Sequence, residues 1–209
     1  MAEGDGRRFG FLMFDRYEEL DLIGPWEMAT MWRDYADGPA CVTVSQNGGT
    51  VACAKGLGTV AEHSFASCPP LDYLLIPGGF SAFDEMQNTV LVDWVRQQAT
   101  RCRHVLSVCT GAFILQAAGL LAGRQATTHW KGMDGLRDLG VDVVKQRWVR
   151  DGTVWSSAGV SAGMDLTLGF IAAIDGETAA GAVQHNAEYY PDGRIYGDNG
   201  IHLTAEYKA

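Results

Sequence analysis

The sequence predicts an α/β fold built on a mostly parallel central sheet. Three observations predict it. Apolar runs of strand length alternate with longer segments of helical period, the pattern of strands covered on both faces by helices. The chain of 209 residues suits one α/β domain with a sizeable core. Its 47% hydrophobic and 20% charged residues sit near the average for folded globular proteins, against disorder or fibrous structure. All of 1–209 is read as one domain, with a polar N-terminal tail at 1–8 and a polar C-terminal tail from about 190. No internal repeat, low-complexity tract or Pro/Ser linker marks a boundary.

Phe9–Phe14 (FGFLMF) is the first buried strand. After a short acidic turn, Pro25–Tyr35 reads as a helix with Pro in its first turn. Val42–Gln46 is the second strand, and the Gly-rich stretch Asn47–Gly58 a small hairpin excursion. Leu71–Pro77 is the third core strand and ends in Gly78-Gly79. Val90–Arg101 has helical period and a basic last turn, which suits the negative end of the helix dipole. His104–Val108 is the next strand. Directly behind it, Cys109-Thr110-Gly111 opens an apolar helix to about Leu121, with Gly123 as its stop. Trp148–Trp155 alternates around Asp151-Gly152, a hairpin signal, and a further apolar helix runs from Ser161 or Gly163 through Ile174.

A formal net charge of -9, from 16 Lys plus Arg against 25 Asp plus Glu, opposes the phosphate neutralisation that supplies most nucleic-acid affinity. Nucleic acid and anionic membranes are therefore not expected as partners. No signal-peptide layout opens the chain and every apolar run is punctuated by Gly, Asp, Arg or Thr, so a cytoplasmic protein without a membrane span is expected. The five cysteines are scattered without a CxxC pair, and the histidines show neither HxxxH nor HExxH spacing. Neither a disulfide framework nor a metal site is expected.

In a parallel sheet the functional crevice lies beyond the carboxyl ends of the strands. Three strands end there in unusual residues: the first leads into Glu18-Glu19-Leu20-Asp21, the third into Gly78-Gly79, the fourth into Cys109-Thr110-Gly111. A cysteine at a helix start meets unpaired N–H groups that favour thiolate, which makes Cys109 a candidate nucleophile. Cys41, Cys53, Cys68 and Cys102 read as small buried hydrophobes. The N–H groups of Gly79 and Thr110 are candidates to face a developing negative charge, although paired glycines also serve simple tight turns. Asp21 has two open roles. It caps the helix from Pro25, which the residues alone favour, or it lies buried by the sulfur as a neutral acid that shuttles the proton. Glu18 and Glu19 read as solvated loop charges. His129 is a candidate base for a Cys/His dyad, against an ordinary packed histidine beside Trp130. The six tryptophans read as core.

These residues resemble the ThiJ/PfpI superfamily, through Ile76-Pro77-Gly78-Gly79, Ser107-Val108-Cys109-Thr110-Gly111 and Ala126-Thr127-Thr128-His129-Trp130. The likeness begins at the first strand, includes Leu20-Asp21-Leu22-Ile23-Gly24-Pro25 and runs to about Glu188-Tyr189. Within the superfamily the chain looks most like the isonitrile (isocyanide) hydratases and the sensory domains of AraC-type regulators. The resemblance implies a flavodoxin-like three-layer sandwich, a homodimer, and a nucleophilic cysteine in a strained elbow, matching Cys109, with an acidic partner matching Asp21. Peptidases of the superfamily carry histidine where this chain has Thr110, and glyoxalase or deglycase relatives usually carry Glu in place of Asp21. Regulators carry an additional helix-turn-helix region, and the sequence given ends at Ala209 without one. The expectation is a free-standing enzyme without metal or organic cofactor. It would add water to a small isonitrile through a Cys109 thioimidate, with Asp21 and Thr110 catalytic and Gly78 and Gly79 shaping the substrate site. A glyoxalase- or deglycase-like enzyme and a cysteine redox sensor or ligand-binding protein are the alternatives.

Overall fold

The computed structural model describes residues 5–191. In chain order the elements are β1 (Arg8–Met13), α1 (Glu19–Tyr35), β2 (Ala40–Ser45), β3 (Gly49–Ala52), β4 (Gly58–Ala61), β5 (His63–Ser64), β6 (Tyr73–Ile76), α2 (Ala82–Glu85) and α3 (Thr89–Ala99). Then come β7 (His104–Val108), α4 (Gly111–Ala117), β8 (Gln125–Ala126), a 3-10 turn (Trp130–Gly132), α5 (Met133–Asp138), β9 (Asp142–Val143), β10 (Trp148–Asp151), β11 (Val154–Ser157), α6 (Ala162–Asp175) and α7 (Glu177–Asn186).

Seven strands form the central sheet in the order β10-β11-β7-β6-β1-β2-β5. Every pairing in it is parallel except the β10–β11 hairpin at one edge. From β1 the chain crosses through α1 to β2 in one direction, and from β6 through α3 to β7 in the other. Right-handed crossovers then place α1 and α3 on opposite faces. The helices sort accordingly: α1, α6 and α7 pack together, as do α2, α3 and α4. This is the three-layer, flavodoxin-like arrangement. The reversal falls between β1 and β6, and a doubly wound sheet opens its crevice beyond the carboxyl ends of strands at such a point.

Strands β1, β6 and β7 are buried almost throughout, because helices cover both faces. Aromatic rings fill the amino-terminal half of the sheet on the α1/α6 side. Phe170 lies edge-on to Tyr73, Trp155 and His104, with ring centroids 5.1, 5.3 and 5.5 Å away. Trp32 stacks on Tyr73 at 6.2 Å and donates its indole N–H to Asp175 at 3.0 Å.

Several expectations are corrected. The first helix starts at Glu19, six residues before Pro25, which sits inside it. Pro25 removes one main-chain hydrogen bond near the helix start. Its ring meets α6 at Gly163, where a Cβ would lie 2.9 Å from Pro25 Cγ. The helix after Cys109 stops at Ala117, because Ala118, Gly119 and Leu120 turn their N–H groups back onto Ile114, Gln116 and Leu115 and Gly119 takes φ 77°. Residues 5–8 are held in place: Arg8 starts β1 and Arg7 pairs with Asp175 at 2.6 Å. From residue 192 the polar C-terminal segment lies outside the described residues. Trp130 is not core, being 52% exposed. No described helix is long and apolar enough to cross a membrane.

Candidate active site

Cys109 follows β7 at φ 57°, a left-handed conformation uncommon for a side chain other than glycine. Strain of this kind costs about 1–3 kcal/mol and persists only where the surroundings overdetermine it. Here they do. The Cys109 N–H donates to the carbonyls of Ser157 and Ala158, at 3.2 and 3.1 Å, and Thr128 Oγ1 donates to the Cys109 carbonyl at 2.7 Å. The Thr127 N–H in turn donates to Ser156 Oγ at 2.9 Å. The threonines of the Thr-Thr-His-Trp block thus fasten the elbow to β11. Gly111 lets the new helix leave against β6, since a Cβ there would lie 2.5 Å from the Ile76 oxygen.

Asp21 belongs to the first turn of α1 and does not cap a helix at Pro25. Its side chain is fully buried and leaves its own helix, with Oδ2 accepting from the Gly78 N–H at 2.8 Å. Oδ1 has no hydrogen-bond partner, and the Cys109 thiol is within interaction reach of the carboxyl. Gly78 makes the approach possible. A Cβ on it would lie 2.5 Å from the Thr110 nitrogen and 2.9 Å from Asp21 Oδ2.

The glycine N–H groups are engaged in a way the sequence did not foretell. Gly78 donates to Asp21, and Gly79 donates to Thr110 Oγ1 at 2.9 Å while that hydroxyl donates to the Gly79 carbonyl at 2.8 Å. These N–H groups therefore hold the site together and are not free to face an oxyanion. The N–H groups of Thr110 and Val160 instead lie within interaction reach of the Cys109 sulfur.

Burial dominates the electrostatics. It pushes the Asp21 carboxyl up to about 7, against the Gly78 hydrogen bond, and the nearby Glu18 charge adds to the rise. Burial, then the Asp21 charge, pushes the Cys109 thiol up to about 12, against the pull of the Thr110 and Val160 hydrogen bonds. The expected thiolate-favouring effect of the helix start is thus outweighed while Asp21 is ionised. Two negative charges cannot be accommodated side by side here, so the pair holds one proton over a broad range above about 7. That proton sits on sulfur or on carboxyl, and moving it between them leaves the net charge unchanged.

Glu18 and Glu19 are less solvated than expected. Their side chains are 21% and 15% exposed and both pair with Lys55, whose N–H also donates to Glu19 Oε1 at 2.6 Å. His129 stands at the same cleft but makes no dyad. Its Nδ1 accepts from the Lys131 N–H at 3.2 Å, and burial, with the Lys131 charge, lowers its pKa and so disfavours the charged ring. Among the other cysteines, burial pushes the Cys41 and Cys102 thiols up to about 12 and Cys68 to about 11. All five cysteines are free. Among the described residues no group of three or more His, Cys, Asp or Glu side chains is placed to hold a metal ion.

Cys109 opens onto a largely apolar cleft of about 380 Å³, with Phe80, Phe83, Val160, His129 and Lys131 in its walls. Phe80 is 88% exposed and Phe83 packs edge-on to Phe113 at 4.8 Å. Neither phenylalanine was singled out in the sequence, since both follow the Gly-Gly turn without periodic context.

The DJ-1/PfpI family model matches residues 7–173. An isonitrile hydratase from Pseudomonas putida is 36% identical over 193 residues, covering 88% of this chain and 79% of that protein. A deglycase from Pyrococcus horikoshii is 29% identical, over 73% of this chain and 89% of its own. A ThiJ/PfpI family protein from Pseudomonas syringae has a solved structure that superposes with a TM-score of 0.85 at 30% identity, over 93% of this chain and 79% of that one. With these elements, this elbow and these matches, the chain belongs to the DJ-1/PfpI family.

Proposed function

We propose that this protein is an isonitrile hydratase, R–N≡C + H2O → R–NH–CHO. The observation that carries the reading is the buried Asp21 carboxyl set against the Cys109 thiol at the mouth of an apolar cleft. An isonitrile's terminal carbon must receive both a nucleophile and a proton. A thiol and a carboxyl sharing one proton supply both from one point.

In the first step the thiol proton passes to Asp21 and the Cys109 sulfur bonds to the terminal carbon. Asp21 delivers the proton to the same carbon, giving the thioimidate R–N=CH–S–Cys109. Covalent catalysis of this kind divides one difficult addition into two easier ones. Asp21, again a carboxylate, takes a proton from water as the water oxygen attacks the thioimidate carbon. Collapse expels the sulfur, which recovers a proton, and the nitrogen gains the other, releasing the N-substituted formamide. The N–H groups of Thr110 and Val160 stabilise the sulfur anion whenever it forms. The apolar walls suit a neutral, poorly hydrated substrate. No step calls for a metal or an organic cofactor. The Pseudomonas putida relative supports the same reading.

The test is infrared and mass-spectrometric monitoring of simple alkyl and aryl isonitriles with wild type and Cys109→Ala side by side. Formamide that depends on Cys109 is the expected result. Intact isonitrile alongside consumed methylglyoxal would instead support an aldehyde-directed activity like that named for the deglycase relative.

A further inference from the structure

The wall of the cleft turns sharply at Val160, a β-branched residue at φ 49°. For such a side chain the left-handed region is a genuine outlier. Yet Val160 lines the cleft beside Cys109, and the Cys109 N–H donates to the Ala158 carbonyl two residues ahead of it at 3.1 Å, so the corner's geometry bears directly on the elbow and brings the Val160 N–H within reach of the sulfur. What holds it is Arg147, from the segment ahead of β10.

The Arg147 carbonyl accepts from the Ala158 N–H at 2.9 Å, on one side of the corner. On the other side its Nη2 donates to Ser161 Oγ at 3.1 Å. The guanidinium is anchored on α6, donating to Asp165 Oδ2 through Nε at 2.8 Å and Nη2 at 2.5 Å. Tyr189 donates its hydroxyl to the same carboxylate, at 3.2 and 3.3 Å. Arg147 and Asp165 are only 25% and 20% exposed, so this pair is screened far less than a surface one. The Ala162 and Gly163 N–H groups close the corner on the Gly159 and Val160 carbonyls, at 3.2 and 3.3 Å.

We propose that Arg147 is a positioning residue: anchored by Asp165 and Tyr189, it straddles residues 158–161 and keeps the strained Val160 N–H on the Cys109 sulfur, stabilising the thiolate. Arg147, Ser161 and Asp165 act through main-chain geometry, without being donors to the sulfur. The inference rests on Cys109 as the nucleophile of the proposed function, and not on the identity of the substrate.

The test reads alkylation of Cys109 by iodoacetamide, followed on its own peptide by mass spectrometry, against pH. Arg147→Lys keeps the charge but loses the planar fork, and should slow alkylation roughly tenfold at each pH, through loss of thiolate. Ser161→Ala cuts a single hydrogen bond and should slow it about threefold. Arg124→Lys, at the separate ion pair with Asp151, should follow wild type. Wild-type profiles in both Arg147→Lys and Ser161→Ala would overturn the proposal. Should Arg147→Lys fail to fold, Ser161→Ala decides alone. Isonitrile turnover measured alongside separates the two ideas. A lowered profile in a protein that consumes no isonitrile upholds the clamp and sinks the hydratase reading, and an unchanged profile with intact turnover does the reverse.

Discussion

The same three strands, β1, β6 and β7, are treated in opposite ways at their two ends. At the amino-terminal end Phe9 pairs with Tyr73 and Tyr73 with His104 across the sheet, and Trp32, Trp155 and Phe170 close over them. No residue in this cluster has a positive φ, and none of its side-chain polar atoms is buried without a hydrogen-bond partner; the His104 Nδ1, for one, accepts from the Trp155 indole at 3.3 Å. At the carboxyl end Cys109 and Val160 are strained, Asp21 buries a carboxyl, and its Oδ1 is without a hydrogen-bond partner. On the proposed function, one end contributes stability and the other spends part of it on chemistry. Substitutions should therefore separate the two properties cleanly.

The largest expected effect is on rate. Cys109→Ala should lower isonitrile turnover by at least about a thousandfold, because the covalent route is lost, while the melting temperature stays close to wild type. A comparable loss of folding free energy would show that the elbow is itself part of the stabilising core. At the other end, Phe170→Ala should cost about 3–5 kcal/mol in denaturant unfolding, since a ring touching Phe9, Trp32, Tyr73 and Trp155 leaves a cavity. The folded fraction should keep a near-normal kcat. A large fall in its kcat would break the division between the two ends.

Asp21→Asn should act in both directions at once. Turnover falls by about a hundredfold with loss of the proton shuttle. Stability rises, and the sign follows from linkage. A carboxyl whose folded pKa lies near 7, above its unfolded value, favours the native state while protonated and loses that advantage as pH rises through about 7. The gain on substitution should therefore reach on the order of 2–4 kcal/mol above pH 8 and shrink towards pH 5. Thermal melts of both proteins across that range check it. The wild-type rate should rise with pH through about 7, as the pair loses the first of its two protons, and Asp21→Asn should lack that limb. The smallest effect is expected for Thr128→Val, which removes the 2.7 Å hydrogen bond to the Cys109 carbonyl. About 1 kcal/mol of stability and a severalfold drop in kcat, with KM little changed, would fit a residue that only holds the elbow.

Much of the fold was legible because alternating strand and helix periods are local signals, and His104–Val108 matched the strand residue for residue. The start of α1 was misread because Pro at a first helical turn is the stronger prior, whereas here the chain accepts a proline six residues inside. That shift moved Asp21 from a cap to the interior of the first turn. Cys109 and Asp21 could be named from strand ends and resemblance, but the partners that hold them could not. Thr128, Arg147, Val160 and Asp165 reach the elbow from segments 19 to 56 residues away in sequence, and nothing periodic announces a threonine that donates to a carbonyl. The glycine pair stood out at its strand end, but the Gly79 N–H, expected to face a developing charge, meets Thr110 Oγ1, since sequence does not tell which oxygen an N–H will meet.

The central claim, that Cys109 and Asp21 share one proton to build and then hydrolyse a covalent adduct, has a direct test. Wild type and Asp21→Asn are mixed with an aryl isonitrile, quenched in acid at successive times, and the Cys109 peptide is weighed. The account predicts the mass of intact isonitrile added to Cys109, transient in wild type and, in Asp21→Asn, both slow to form and slow to decay. Formamide release with no adduct at Cys109 at any time in either protein would contradict it.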